Sequence, residues 1–261
     1  SSGPRKFMDI FDAVCSTVAS AGHRRGAQMA VLRVGHPDSW EYVHAKQDQR
    51  SLTNFNTSVA ITDEFMHALR LGNKFPLRWD GRTYEEIDPL PLWEAIMRST
   101  WDWAEPGVLF IDRINKMNNL WYCEKIVTTN PCAEQPLPPH GACLLGSFNL
   151  VKYMVEGESR GYYFDYGAFM ADIPVVVRAL DNVIDIASYP LSVQRDEAHN
   201  KRRMGIGVTG AANALEAAGH PYGSDTFVWE LGRILEILAA ETYTASAYLA
   251  REKGAFPAYS K

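Results

Sequence analysis

Residues 55–69, FNTSVAITDEFMHAL, read as a strand that passes directly into a helix. FNTSVAI is a short run rich in β-branched and apolar residues, and Thr62 stands where the following helix, TDEFMHAL, needs an N-cap. Upstream, the apolar run AQMAVLRV (27–34) is a second buried strand, ended by Gly35, His36 and Pro37, after which SWEYVHAK is a short helical segment. Residues 5–21 form an amphipathic helix that stops at Gly22. Downstream, a Gly/Pro/aromatic connector (72–91) leads to the helix PLWEAIMRSTWDWAE, with Pro91 near its first turn, and then to the strand GVLFI (107–111).

The segment 112–140 is polar and proline-rich without clear periodicity, and a connection of that length inside a compact domain points to function. ACLLGSFNL (142–150) is the next strand candidate, DYGAFMADIPVVVRALDNVIDIA (165–187) a helix, and NKRRMGIGVTG (200–210) passes from polar surface into a glycine-rich strand or turn. Two final helices are expected at about 208–218 and 225–252. Strands alternating with crossover helices specify an α/β architecture, for which a barrel and an open sheet serve equally well.

A chain of 261 residues with 46% hydrophobic positions can bury one large core or two small ones, which excludes a disordered segment. Its 26 Lys and Arg against 31 Asp and Glu give a net charge of -5, so no overall attraction to a nucleic-acid polymer or an anionic membrane is expected. Four cysteines are too few for a disulfide scaffold, and no Cys/His cluster stands at metal-ligand spacing. No run approaches a membrane span and no signal peptide opens the sequence, so a cytoplasmic location is expected. Both ends read as cuts through a larger protein.

The chemistry concentrates in TNPCAEQPLPPHGAC (129–143), where Asn130, Cys132 and Glu134 follow one another at two-residue spacing. In an extended segment such spacing puts an amide, a thiol and a carboxylate on one side, suitable for a cysteine that acts on substrate while a carboxylate handles a proton. The prolines at 131, 136, 138 and 139 restrict this loop. A surface loop with a small buried cysteine is the plain alternative, and a Cys–His hydrolase using His140 lacks an orienting third group. Cys143 follows eleven residues later on the next strand candidate.

The loop Ser20, Ala21, Gly22, His23, Arg24, Arg25, Gly26, Ala27 combines backbone freedom with cationic donors for phosphate or base contacts, and a solvated basic turn is the alternative. Lys201, Arg202 and Arg203 carry the same two readings. Gly205, Gly207 and Gly210 spell GxGxxG, but they do not follow the first strand of a βαβ unit, and Glu216 is too near for a ribose-binding acid. Trp93, Trp101 and Trp103 are read as packing residues.

SAGHRRGAQMAVLR, LTNFNTSVAITDEFM, EPGVLFIDRINKMNN, TNPCAEQPLPPHGACLLGSFNL, DIPVVVRALDNVID and AHNKRRMGIGVTGAANAL together closely resemble the catalytic subunit of ribonucleotide reductases, most of all the adenosylcobalamin-dependent class II enzymes. The resemblance implies a ten-stranded α/β barrel of two five-stranded halves with a finger loop inside it, of which residues 1–261 form one segment. It makes Cys132 the thiyl residue that abstracts the 3'-hydrogen of a ribonucleoside di- or triphosphate, Glu134 the acceptor of the 3'-hydroxyl proton, and Asn130 a hydrogen-bonding amide of the same site. Cys143 becomes one member of the redox pair. It further implies that loop 20–27 is a specificity loop answering to a deoxynucleotide allosteric effector, with Arg25 as its principal substrate contact. The expected cofactor is adenosylcobalamin, with no side-chain metal site; the expected partners are a thioredoxin-type reductant and a second copy of the chain in a homodimer, with the opening helix at the dimer interface or adjacent to the effector site.

Three departures qualify that resemblance. Neither Cys15 nor Cys123 matches the family's other redox cysteine, which lies upstream of anything in this sequence. The later strands of the substrate-phosphate site and the C-terminal reducing cysteines are also missing. The sequence therefore reads as a middle segment without turnover of its own, requiring the missing barrel segments as partners. A truncated inert domain with a nucleotide-binding or structural assembly role is the competing reading.

Overall fold

The computed structural model describes residues 3–19, 26–48, 50–157 and 161–260. It contains two compact units, Ser1–Pro139 and His140–Lys261. In the first, helix α1 (Gly3–Ala19) precedes strand β1 (Gln28–Arg33), helix α2 (Ser39–Val43), strand β2 (Phe55–Ile61) and helix α3 (Asp63–Leu71). A hairpin of β3 (Phe75–Trp79) and β4 (Arg82–Ile87) follows, then α4 (Pro89–Trp103), β5 (Gly107–Phe110), α5 (Ile111–Lys116) and a small hairpin of β6 (Thr128–Thr129) and β7 (Pro136–Leu137).

Strands β1, β2 and β5 form a parallel sheet with β2 at its centre, in the register Val31 to Ser58 and Val59 to Val108. The alternation of side chains along β2 decides what lies on each face. Phe55, Val59 and Ile61 enter a core with Phe65 of α3 and Leu92 and Ile96 of α4, all buried. Ala60, pointing the other way, packs with Ile111, Ile126, Val31 and Ile114. Both faces of β2 are covered, which is why its burial is nearly continuous rather than alternating. Close strand approach also constrains residue size, since a Cβ at Gly107 would lie 2.7 Å from Ser58 Oγ.

The strand-to-helix reading of 55–69 holds at atomic detail. Thr62 is extended, and its side chain accepts a hydrogen bond from Phe65 N at 3.2 Å. Gly72 closes the helix in the left-handed region at φ 68°. Thr62→Ala removes the cap from a buried helix start, so it is expected to cost about 1 kcal/mol. Equilibrium urea unfolding measures that loss, and a variant as stable as the parent would contradict the capping role.

In the second unit β8 (Leu144–Asn149) leads through a 3-10 turn (Leu150–Tyr153) to a hairpin of β9 (Met154–Glu156) and β10 (Tyr162–Phe164). Helices α6 (Tyr166–Ile186) and α7 (Ser192–Lys201) precede β11 (Met204–Thr209), which pairs in parallel with β8, and α8 (Ala211–Ala217) and α9 (Asp225–Lys253) complete the unit before a final 3-10 turn (Pro257–Ser260). Phe148, Phe164 and Phe169 cluster at its centre with edge-on rings, Phe169 lying 5.3 Å from Phe148 and 5.4 Å from Phe164. Ile173, Val177, Leu215, Ile234 and Leu238 fill the rest of this core.

The mixed α/β composition is as expected. Among the described residues, however, the parallel strands make one three-stranded and one two-stranded sheet, and they do not close into a barrel. Closure requires every edge to find a neighbour, and β1 and β5 are edges of their sheet. The connector 72–91 is not a simple link, because it contains the β3–β4 hairpin. Trp93 packs on the first core as read from the sequence, whereas Trp101 is 85% exposed and Trp103 is exposed as well. Their helix buries only the face that carries Leu92, Ile96 and Ser99.

Candidate active site

The residues of the proline-rich segment form a hairpin tip. Strands β6 and β7 are antiparallel, with Thr128 opposite Leu137 and Thr129 opposite Pro136. Asn130 N donates to Gln135 O at 3.2 Å, which leaves residues 130–135 as the loop. Asn130 then braces the loop from within: its carbonyl accepts from Ala133 N at 3.0 Å, and its side-chain Oδ1 accepts from Gln135 N at 2.9 Å. Ala133 adopts φ 66°, a left-handed conformation uncommon for a residue with a Cβ.

This geometry corrects the premise of an extended segment. Residues 131–135 turn, so Cys132 and Glu134 do not sit on one side of an extended strand with Asn130; the three share a six-residue hairpin loop instead. Cys132 and Glu134 are exposed at the tip and Asn130 is half-buried beneath them. Cys132 is therefore not the small buried cysteine of the plain alternative. Cys15 fits that description instead: it is buried, with its Sγ packed closely against Gly26.

A two-residue ladder cannot hold such a loop unaided, and side chains from elsewhere in the unit supply the support. Asn115 of α5 donates to Ile111 O and Ile126 O, each at 2.9 Å, and accepts from Ile126 N at 2.8 Å. Ile126 is buried against Ala60 and Ile111 just before β6. At the tip, Asn56 Nδ2 of β2 donates to Pro131 O at 2.9 Å, 75 residues away in sequence. The start of β2 is fixed in turn by Glu105, which accepts from Thr57 N at 2.7 Å and pairs with Lys46. Sequence reading did not single out Asn56, Asn115 or Glu105. A polar residue between Phe55 and Thr57 in an otherwise covered strand was the available signal.

The other expected site residues lie elsewhere. Cys143 is half-buried just before β8 in the second unit, its Sγ 3.3 Å from Leu144 O. Of the basic loop, Ser20, Ala21, Gly22, His23, Arg24 and Arg25 lie outside the described residues, and Gly26 and Ala27 lead into β1. The second basic run is committed to acids within its own unit: Lys201 to Glu197 at 2.6 Å, Arg202 to Asp181 and Asp185 at 2.7 Å each, and Arg203 near Glu197 at 3.8 Å. Gly205, Gly207 and Gly210 lie on and after β11, which pairs only with β8 among the described strands.

Among the described residues no three His, Cys, Asp or Glu side chains meet at a metal-binding arrangement, and no helix is long and apolar enough to cross a membrane. None of the four cysteines forms a disulfide among the described residues.

The sequence matches the family described as "Ribonucleotide reductase, barrel domain" over residues 1–261. It is 38% identical over 99% of its length to a "Vitamin B12-dependent ribonucleoside-diphosphate reductase" of Mycobacterium tuberculosis (strain CDC 1551 / Oshkosh), covering 37% of that protein. A protein of the same name from Thermoplasma acidophilum is 36% identical over 99% of the chain, which covers 34% of it. A "Vitamin B12-dependent ribonucleotide reductase" of Streptomyces clavuligerus is 30% identical over the whole chain, which covers 30% of it. The chain thus spans about a third of the length of these relatives. With the family matched from the first residue to the last, and relatives of that name along nearly all of the same length, the chain belongs to the ribonucleotide reductase barrel-domain family.

Proposed function

We propose that the chain is a catalytic-barrel segment of a ribonucleotide reductase, converting ribonucleotides to 2'-deoxyribonucleotides by thiyl-radical chemistry at Cys132. The observation that carries this reading is an exposed thiol at the tip of a braced hairpin, with an amide and a carboxylate within two residues on either side. A radical cysteine must be reachable by substrate yet held in a defined place, and this tip meets both demands.

In this reading the Cys132 thiyl removes the 3'-hydrogen and so becomes a thiol, while Glu134 accepts the 3'-hydroxyl proton and the 2'-hydroxyl leaves as water. Two electrons then come from a cysteine pair that includes Cys143, which ends as a disulfide, and the 3'-hydrogen is returned from Cys132. Adenosylcobalamin, when bound, supplies the radical that generates the thiyl. The exposure of Cys132 fits a radical source from outside this unit. The names of the mycobacterial and Thermoplasma relatives, ribonucleoside-diphosphate reductases, favour a diphosphate substrate.

The finer features belong to the same proposal: a ten-stranded barrel completed by segments outside this chain, a specificity loop at 20–27 answering to a deoxynucleotide, a homodimer, and a thioredoxin-type reductant. The test is ribonucleotide reduction by the purified chain, alone and mixed with the barrel segments that its relatives possess, using adenosylcobalamin and dithiothreitol. Deoxynucleotide formation that requires the cobalamin supports the reading. No product in any folded mixture overturns it.

A further inference from the structure

We infer that Asn56 is a positioning residue for Cys132, acting through the Pro131 carbonyl; the inference rests on the reading of Cys132 as the radical residue. Pro131 O belongs to the peptide plane that immediately precedes Cys132, and Asn56 Nδ2 donates to it at 2.9 Å. A carbonyl only accepts, so the amide nitrogen is the atom that must face it. Pro131 has no N–H of its own, and the carbonyl is therefore the hydrogen-bonding handle by which this residue can be held from outside the loop.

Among the described residues, the other hydrogen bonds of the tip are internal to it. Ala133 N and Gln135 N both bond to Asn130, so they preserve the loop's shape without fixing its place relative to the sheet. Asn115 and Ile126 anchor the base of the hairpin, and Asn56 supplies a reference to the sheet at the tip itself. It sits on β2, whose neighbours on both sides are hydrogen-bonded strands and whose first residues are pinned by Glu105 at Thr57 N. Hydrogen abstraction depends steeply on the separation between sulfur and the carbon-bound hydrogen, so a tip that pivots by an ångström loses much of its reactivity while substrate binding is retained. Asn56 touches no reacting atom in this scheme.

The experiment uses Asn56→Leu, which is similar in size and lacks the donor, and Asn56→Asp, which also lacks it and carries the test if the first variant fails to fold. In the chain itself, amide exchange at Ala133 and Gln135 is expected to rise about tenfold, while β1, β2 and β5 exchange as before. In the reductase assay, kcat is expected to fall about tenfold to a hundredfold with KM unchanged. A merely structural residue would instead loosen the sheet and leave the kcat-to-KM split without direction.

The two possible failures are separable. If the unsubstituted protein reduces no ribonucleotide, or if Cys132→Ser keeps turnover, the reading of the site falls and the inference with it. If those controls behave while a folded Asn56 variant keeps the parental kcat, or its tip amides exchange at the parental rate, the positioning role is overturned and the reading of Cys132 stands.

Discussion

Cys132→Ser is expected to fold as the parent does and to form no deoxynucleotide above background, a loss of roughly 10⁴-fold or more in kcat. The fold is spared because Cys132 is exposed at a loop tip and contributes nothing to either hydrophobic core. The hydroxyl occupies nearly the same position as the thiol, so substrate contacts made by neighbouring groups survive. What is lost is a bond weak enough to give up its hydrogen atom and re-form it within one catalytic cycle, and an alcohol O–H is too strong for that role. Cys123→Ser is the matched control, since Cys123 is also exposed but lies outside the hairpin. It should keep parental turnover. Product analysis with far-ultraviolet circular dichroism as the folding check reads both, and a Cys132→Ser protein within about tenfold of the parent would remove the radical role from this residue.

The place of the thiol matters as much as its identity. A finger of two-residue strands has too little ladder to be rigid, yet here three separate parts of the first unit hold it: Asn115 at its base, Ile126 in the small core below, and Asn56 at its tip. The two asparagines use backbone groups that the short ladder leaves over, at Ile126 and at Pro131. That follows from the rule that buried or half-buried carbonyls and N–H groups find partners, and the same bonds hold the loop that carries Cys132.

Much of this organisation was legible because local signals agreed with one another. FNTSVAI, GVLFI and the capped helix after Thr62 became β2, β5 and α3 with boundaries close to those read from the sequence. The β3–β4 hairpin was missed although Asp80-Gly81 marks its turn, both residues having positive φ at 49° and 72°. Its outer positions, Arg78, Trp79 and the whole of β4 up to Ile87, are exposed, so only Phe75 and Leu77 carried an inward alternation. The proline-rich segment is not legible in the sequence as a hairpin. Strands of two residues have no period to detect, and contacts such as Asn56 to Pro131 span 75 residues. Helix α7 escaped for a related reason: its sequence, SVQRDEAHNK, buries little beyond Ala198.

The second unit carries the largest expected effect on stability, and it lies in the acid–base bolt around Asp181. Asp181 is buried on α6, accepting from Arg202 Nε at 2.7 Å and Lys253 Nζ at 2.6 Å, while Arg202 also reaches Asp181 O at 2.9 Å and Asp185 at 2.7 Å. Arg202 closes α7 and Lys253 ends α9, so one carboxylate ties three helices. Asp181→Ala leaves two half-buried cations sharing the more exposed Asp185, and is expected to cost about 3 kcal/mol. Burial pushes the Asp181 carboxyl up, but the hydrogen bonds and charges of Arg202 and Lys253 outweigh it and hold the group below its usual range. The sign of the pH dependence follows: a lowered folded pKa contributes stability that is present above the unfolded value of about 4 and is lost as pH falls through the folded value. The gap between parent and Asp181→Ala is therefore full at pH 7 and narrows on acidification. Peptide-resolved hydrogen exchange is the suitable measurement, because six of the seven tryptophans lie in the first unit and fluorescence would report mainly on that unit. Faster exchange in α6 and α9 of the variant at pH 7 supports the bolt, and parental exchange in both helices would show that the ion pairs contribute nothing to the unit's stability.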